Sequence, residues 1–105
     1  MTENEFNELA DAVFDRIEQG IDASDADIEC NLNGPVLELE FADGSQIVIN
    51  RHAPNREIWL AAKSGGFHYA HQDGQWISKR DGSELFSKLE ELVKIGAGEV
   101  VGFLI

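Results

Sequence analysis

The sequence predicts an α+β two-layer sandwich, with an antiparallel sheet of about six strands covered on one face by an N-terminal and a C-terminal helix. Three observations lead there. Apolar residues between Phe6 and Ile21 recur with the helical period. From Asp27 to Ile77 the period falls to two, and turn-forming residues interrupt it at short intervals. From Ser83 the helical period returns. Helix, run of strands, helix is the order expected when α and β elements form separate layers.

The first helix is expected over Met1 to Gln19. Thr2 followed by Glu5 reads as a capping box that opens it, and Gly20 is expected to end it. Phe6, Leu9, Ala10, Val13, Phe14, Ile17 and Ile21 line an inner face, while Glu8, Asp11, Asp15, Glu18 and Asp22 line the outer one at spacings of three, four, three and four. Ile28, Cys30 and Leu32 then alternate with polar neighbours, Asn33-Gly34-Pro35 turns the chain, and Leu37, Leu39 and Phe41 alternate with Glu38 and Glu40. Asp43-Gly44 is a tight-turn signal before a third strand over Gln46 to Asn50, where Ile47 and Ile49 share a face. Pro54-Asn55 interrupts the run and Glu57 to Ala62 resumes it. Gly65-Gly66 and Asp73-Gly74 punctuate it again, and Trp76-Ile77 closes the meander. After Arg80-Asp81-Gly82, Ser83 is expected to cap a second helix with Leu85, Phe86, Leu89, Leu92 and Val93 on its apolar face and Gly96 and Gly98 at its end. The apolar tail from Glu99 to Ile105 fits along a helix or in the groove between helices, and the pattern does not choose between them.

A chain of 105 residues, 43% hydrophobic, suits one domain over residues 1–105 with a modest core. Its formal charge of −12 is unevenly spread: residues 1–29 hold ten of the 20 acids and a single base, Arg16. Nucleic acid is disfavoured as a partner, because phosphate binding needs Lys and Arg gathered on one surface. A cation or a basic protein is favoured. The sequence contains no long apolar run, no basic n-region and no apolar h-region, so neither membrane insertion nor export is expected. Cys30 is the one cysteine, which excludes an intrachain disulfide and a thiolate-rich metal site. The expected compartment is the reducing cytoplasm.

The acidic stripe continues beyond the helix through Asp25, Asp27 and Glu29. Like charges at i, i+4 each cost about 0.2–0.5 kcal/mol, and acids near a helix C-terminus oppose its dipole. A solvated face that keeps the protein soluble is the simple reading; a surface for cations or a basic partner accounts better for so long a row. Carboxylates without a His or Cys cage bind divalent or trivalent cations through several waters, weakly and with little selectivity. Asp22 to Glu29 is no EF-hand, since the central Gly, the twelfth-position Glu and the following helix are missing.

On the fourth strand, if Ile58 and Leu60 face the helices, Trp59 points to the open face as an exposed anchor for a protein partner. The inverted register, with Trp59 in the core, is equally compatible with the pattern. His68 and His71 fall on opposite faces of a strand and read as solvated side chains. Cys30 reads as a buried core residue. Gly65-Gly66 matches neither a P-loop nor a dinucleotide fingerprint.

Several of these segments together resemble the frataxin family, in its bacterial form. They are the opening Glu5-Phe6 helix, the acidic stretch through Asp22, Asp25, Asp27 and Glu29, Ile49-Asn50-Arg51, Pro54, Ile58-Trp59-Leu60-Ala61, Ser64 to Tyr69 and Trp76, with the run INRHAPNREIWLA the most specific part. The resemblance implies an α/β sandwich that binds iron, Fe(II) or Fe(III), weakly along its acidic ridge and acts in iron–sulfur cluster assembly. It implies a regulator or iron donor that binds the cysteine desulfurase through that ridge and also binds the cluster scaffold protein. Carried onto this chain, it makes Glu18, Asp22, Asp25, Asp27 and Glu29 the metal and desulfurase contacts, with Asp11 and Asp15 extending the patch. Asn50, Ile58 and Trp59 match sheet-surface positions for partner binding, which favours the exposed register of Trp59. Gln19 and Ala23 stand where bacterial members often keep acids, so a thinner ridge and weaker iron binding are implied; His68 stands at a position where other members carry a basic residue. The expectation is a non-catalytic protein, monomeric without metal. The alternatives are an iron-oxidising or iron-storage protein and, from charge alone, an acidic mimic of nucleic acid.

Overall fold

Thr2 opens the first helix as expected: its hydroxyl accepts from the Glu5 N–H at 3.1 Å, and the Glu5 carboxylate accepts from the Thr2 N–H at 3.0 Å. In the computed structural model, which describes residues 1–103, this helix is α1, Glu3–Asp22. It runs past Gly20, the expected stop. Gly20 serves a tertiary contact instead, because a Cβ there would lie 2.6 Å from the Phe103 ring and 2.9 Å from the Gly102 carbonyl oxygen. The helix closes at Ala23, whose N–H reaches the Gln19 carbonyl, with the Ser24 hydroxyl donating to the Ile21 carbonyl at 2.8 Å.

Six strands follow among the described residues: β1 Ile28–Asn33, β2 Val36–Phe41, β3 Gln46–His52, β4 Glu57–Ala62, β5 Gly65–Gln72 and β6 Gln75–Ser78. Every neighbour in the sheet is the next strand in sequence, and every pair is antiparallel. Register sorts the side chains by face. Leu37, Ile49, Leu60 and Phe67 form one row across β2 to β5; Arg51, Ile58, Tyr69 and Ser78 form the next across β3 to β6. Ile58 and Leu60 are buried, so Trp59 lies on the open face. The same alternation corrects the expected role of Ile58: it has no exposed surface and belongs to the core rather than to the sheet surface.

The second helix, α2, spans Leu85–Ala97. Glu84, rather than Ser83, is its N-cap, the carboxylate accepting from the N–H groups of Phe86 and Ser87. Ser83 instead bonds Asp81 and approaches the Tyr69 hydroxyl at 3.3 Å. Gly98 ends the helix in the left-handed region at φ 74°, whereas Gly96 stays within the helix and makes room for Phe41, whose ring would lie 2.6 Å from a Cβ there. Phe6, Ile17, Leu37, Ile58, Tyr69 and Leu89 are among the fully buried side chains of one continuous core. Full burial of such a side chain contributes about 1.5–3 kcal/mol, so this layer carries the fold.

The segment after α2 lies between the helices as far as it is described. Val101 and Phe103 are buried. The Phe103 carbonyl accepts from the Arg16 guanidinium on α1, and its N–H donates to the Glu90 carboxylate on α2 at 3.2 Å. The expectation for the tail reached Ile105; Leu104 and Ile105 lie outside the described residues. Replacing a helical glycine by alanine ordinarily stabilises by about 0.5–1 kcal/mol. At Gly20 the sign is expected to reverse, with Gly20→Ala losing about 1–3 kcal/mol by overpacking against Phe103, measured by urea unfolding.

Candidate functional site

Helix α1 presents Glu8, Asp11, Asp15 and Asp22 to solvent and half-buries Glu18. Asp11, Asp15 and Glu18 line a cleft between α1 and the β1–β2 hairpin, with Leu32 and Gly34 on the far side and Arg51 as a basic wall. Arg51 is the exception to the open negative field. It reaches from β3 to the Asp11 carboxylate, donates to the Asn7 carbonyl at 2.7 Å, and rests its guanidinium 5.4 Å above the Phe14 ring. Asp11 is thereby neutralised by the protein itself, unlike Asp15, Glu18, Asp22, Asp25 and Asp27. Among the described residues none of those five has an ion-pair partner within 4.0 Å. Arg16, the one base of the N-terminal stretch, is turned towards Phe103 and stacks 4.4 Å from the Phe86 ring.

Glu29 separates from this row. Cys30 pairs with Leu39 on the helix side of the sheet, so its neighbour Glu29 points to the open face, opposite Glu40. Asp25 and Asp27 lie in the exposed connection between α1 and β1. Among the described residues no three His, Cys, Asp or Glu side chains converge as a metal cage. A cation placed on this ridge would meet one or two carboxylates and keep most of its water. Cys30 is half-buried instead of buried, since it sits on the sheet's edge strand. Burial, followed by the negative charges of Glu18 and Asp22, pushes its thiol up to about 11.

The second surface is the open face of the sheet. Trp59 is half-buried there, and both faces of its indole are covered. His52 from β3 stacks on one side at 4.1 Å and His68 from β5 on the other at 4.2 Å, nearly parallel to it at 6° and 7°. The expected exposed anchor is therefore the middle ring of three, presented edge-on. His68 packs on an indole rather than standing free, and His71, on the opposite face, lies 5.1 Å from the Trp76 ring. Asn50 is the cross-strand neighbour of Trp59 and is half-buried beside it.

Glu57, absent from the expected site, organises this face. It is 6% exposed, accepts from the Trp59 indole N–H at 2.9 Å, and takes the Lys79 ammonium at 2.8 Å on its other oxygen. His68 Nδ1 lies 4.0 Å away. The hydrogen bond from Lys79, supported by that from Trp59, holds the Glu57 carboxyl below the usual range against the opposing effect of burial. Alternation along β4 does place Glu57 and Trp59 on one face. Lys79 follows the end of β6 and meets Glu57 only once the sheet is assembled.

Residues 1–99 match the family model of the frataxin-like domain. The chain belongs to the frataxin-like family. A curated relative from Neisseria meningitidis serogroup B, named iron-sulfur cluster assembly protein CyaY, is 46% identical over 101 residues, covering 96% of this chain and 94% of its own. One of the same name from Vibrio cholerae is 52% identical over 91 residues, covering 87% and 88%. Among solved structures, frataxin from Psychromonas ingrahamii superposes with a TM-score of 0.95 at 36% identity over 100% of both chains. Trimeric frataxin from Saccharomyces cerevisiae, complexed with ferrous iron, gives 0.71 at 31% identity over 90% of this chain and 87% of its own. These findings bear out the family resemblance and the sandwich fold. No helix of the described residues is long and apolar enough to cross a membrane.

Two predictions follow from the perturbed groups of this family member. Alkylation of Cys30 at pH 8 is expected to run on the order of a hundredfold slower than in the urea-unfolded chain, and Glu18→Gln with Asp22→Asn to quicken it, both read by mass spectrometry. The folded carboxyl of Glu57 lies below its unfolded value, so its contribution to stability is present above about pH 4.3 and is lost as pH falls through the folded value. Glu57→Gln is therefore expected to be about 1–3 kcal/mol less stable at pH 7, with the gap closing in acid, as measured by urea unfolding from pH 7 to 3.

Proposed function

We propose that this protein serves iron–sulfur cluster assembly as a non-catalytic binding protein, carrying iron weakly on its acidic ridge and docking that ridge on a basic surface of the cysteine desulfurase. The observation that carries the reading is the row Asp15, Glu18, Asp22, Asp25 and Asp27, which has no countercharge from the described residues within 4.0 Å. Unpaired like charges along a helix reduce its stability, so the row gains most from a cation brought by something else. Family membership and the names of the relatives support the assembly role. The ferrous complex of the yeast frataxin supports iron as the metal.

Iron here is cargo. A hard cation meeting exposed carboxylates singly or in pairs exchanges readily, which suits handing it on better than storing it. The same carboxylates attract a basic protein surface, speeding encounter and weakening as salt screens them. Metal and desulfurase therefore compete for Glu18 and Asp22 or are bridged by them, which makes the ridge a means of tuning assembly by iron supply. The sheet face, with Asn50 beside Trp59, is the second contact, for the scaffold protein.

Glu18→Lys with Asp22→Lys is expected to weaken desulfurase binding at least tenfold in calorimetry and to flatten its dependence on salt. Unchanged affinity would refute the docking mode. Anaerobic titration of the labelled protein with Fe(II) is expected to move amide resonances from Asp15 to Asp27 while leaving Trp59 in place.

A further inference from the structure

Ile95 and Val100 are exposed, and a small apolar recess opens between Phe41, Ile47, Ala62 and Leu92. Lys79 and Arg80 flank a hollow beside Gly66 and His68, but Lys79 is already paired with Glu57 and Arg80 donates to the Gly66 carbonyl at 3.2 Å. The buried carboxylate of Glu57 is different. It is a charged group on the face of the sheet that lacks a helical cover, and ridge binding does not use it.

We propose that Glu57 is a positioning residue for the sheet-face contact: held by Lys79, it pins the Trp59 indole so that His52, Trp59 and His68 stand as one preformed ridge of ring edges. This rests on the reading of Trp59 as a partner contact. Three observations support it. The Trp59 indole has its only polar atom engaged, Nε1–H to Glu57 at 2.9 Å, which fixes the rotation of the ring about its side-chain bonds. Its two faces are fixed in turn by the parallel imidazoles at 4.1 and 4.2 Å. Glu57 itself cannot swing away, because Lys79 takes its second oxygen at 2.8 Å.

The consequence concerns how a partner recognises this face. An indole N–H committed to an internal carboxylate is not offered outward, and stacked ring faces are not open to a flat ligand. What is left is a line of ring edges running across β3, β4 and β5, with His52 Nδ1 buried beneath it. That suits a partner protein that supplies backbone or side-chain carbonyl groups and aliphatic side chains, and it disfavours stacking of a planar ligand. Because the rings are already ordered, binding does not have to immobilise them. Ordering a free aromatic side chain weakens binding by about two- to tenfold.

The test uses the whole protein with the scaffold protein as probe. In Glu57→Ala the indole Nε1–H of Trp59 is expected to exchange at least tenfold faster by NMR, and scaffold affinity to fall about three- to tenfold. Glu57→Gln with Lys79→Met keeps an acceptor for the indole and leaves no orphaned ammonium, so it is expected to restore both readings in part, short of wild type by what the hold of Lys79 contributes. Slow exchange and unchanged affinity in Glu57→Ala, while Trp59→Ala binds weakly, would overturn the positioning role alone. Unchanged affinity in Trp59→Ala would overturn the contact reading beneath it. Failure of Glu57→Gln with Lys79→Met to restore the indole, in a variant whose amide spectrum shows it folded, would mean that charge rather than positioning is what Glu57 supplies, and would also overturn the proposal.

Discussion

The whole open face of the sheet depends on the register of β4. Burying Ile58 and Leu60 beneath the helices forces Glu57 and Trp59 to the other side, because side chains alternate strictly along a strand. A slip of one residue would place a carboxylate and an indole N–H in an apolar core, and an unpaired buried charge is among the costliest defects a fold can carry. The inward-facing rows across β2 to β6 therefore hold the open face in place as firmly as they hold the core. Pairing with β5 sets His68 directly opposite Trp59, and pairing with β3 sets His52 diagonally to it, opposite Glu57, so that the two imidazoles cover both faces of the indole.

The use of the chain's few bases explains why the acidic ridge stays open. Arg16 bonds the Phe103 carbonyl, Arg51 takes Asp11, Lys79 takes Glu57, and Lys88 pairs with Glu91 at 3.2 Å. Each of these serves a local structural purpose, and none pairs with Asp15, Glu18, Asp22, Asp25 or Asp27. The field over that stretch is a consequence of where the cations are spent as much as of where the acids are placed. It extends inward as well, since the same carboxylates help keep the Cys30 thiol protonated.

Much of this architecture is legible in the sequence because periodicity is a local property. The capping box, the two faces of α1, the meander and its turns, and the apolar face of α2 each follow from neighbours a few residues apart. What escaped depends on distant residues. Ile58 and Trp59 are both apolar enough for a core, so the facing of β4 is decided by its partners and not by its own composition; the family resemblance put Trp59 on the correct side but also put Ile58 on the surface. Gly20 and Gly96 look like helix stops, yet they sit in helices to admit Phe103 and Phe41. Ser83 yields the cap to Glu84, whose longer side chain reaches two N–H groups at once. The acidic row is readable residue by residue, whereas the pairing of Asp11 with Arg51, the turning of Glu29 to the other face and the role of Glu57 come only with the folded sheet.

The contact between Arg16 and Phe103 joins residues 87 positions apart and so closes nearly the whole chain into a ring. Closing so large a loop is an entropically unfavourable step, though its cost rises only slowly with length, and it makes the fold one of high contact order at this seam. The same helix that bears the carboxylates on its outer side is thus latched on its inner side by the segment that follows α2. A change at Phe103 is therefore felt in the seating of the acidic helix even where every carboxylate is intact.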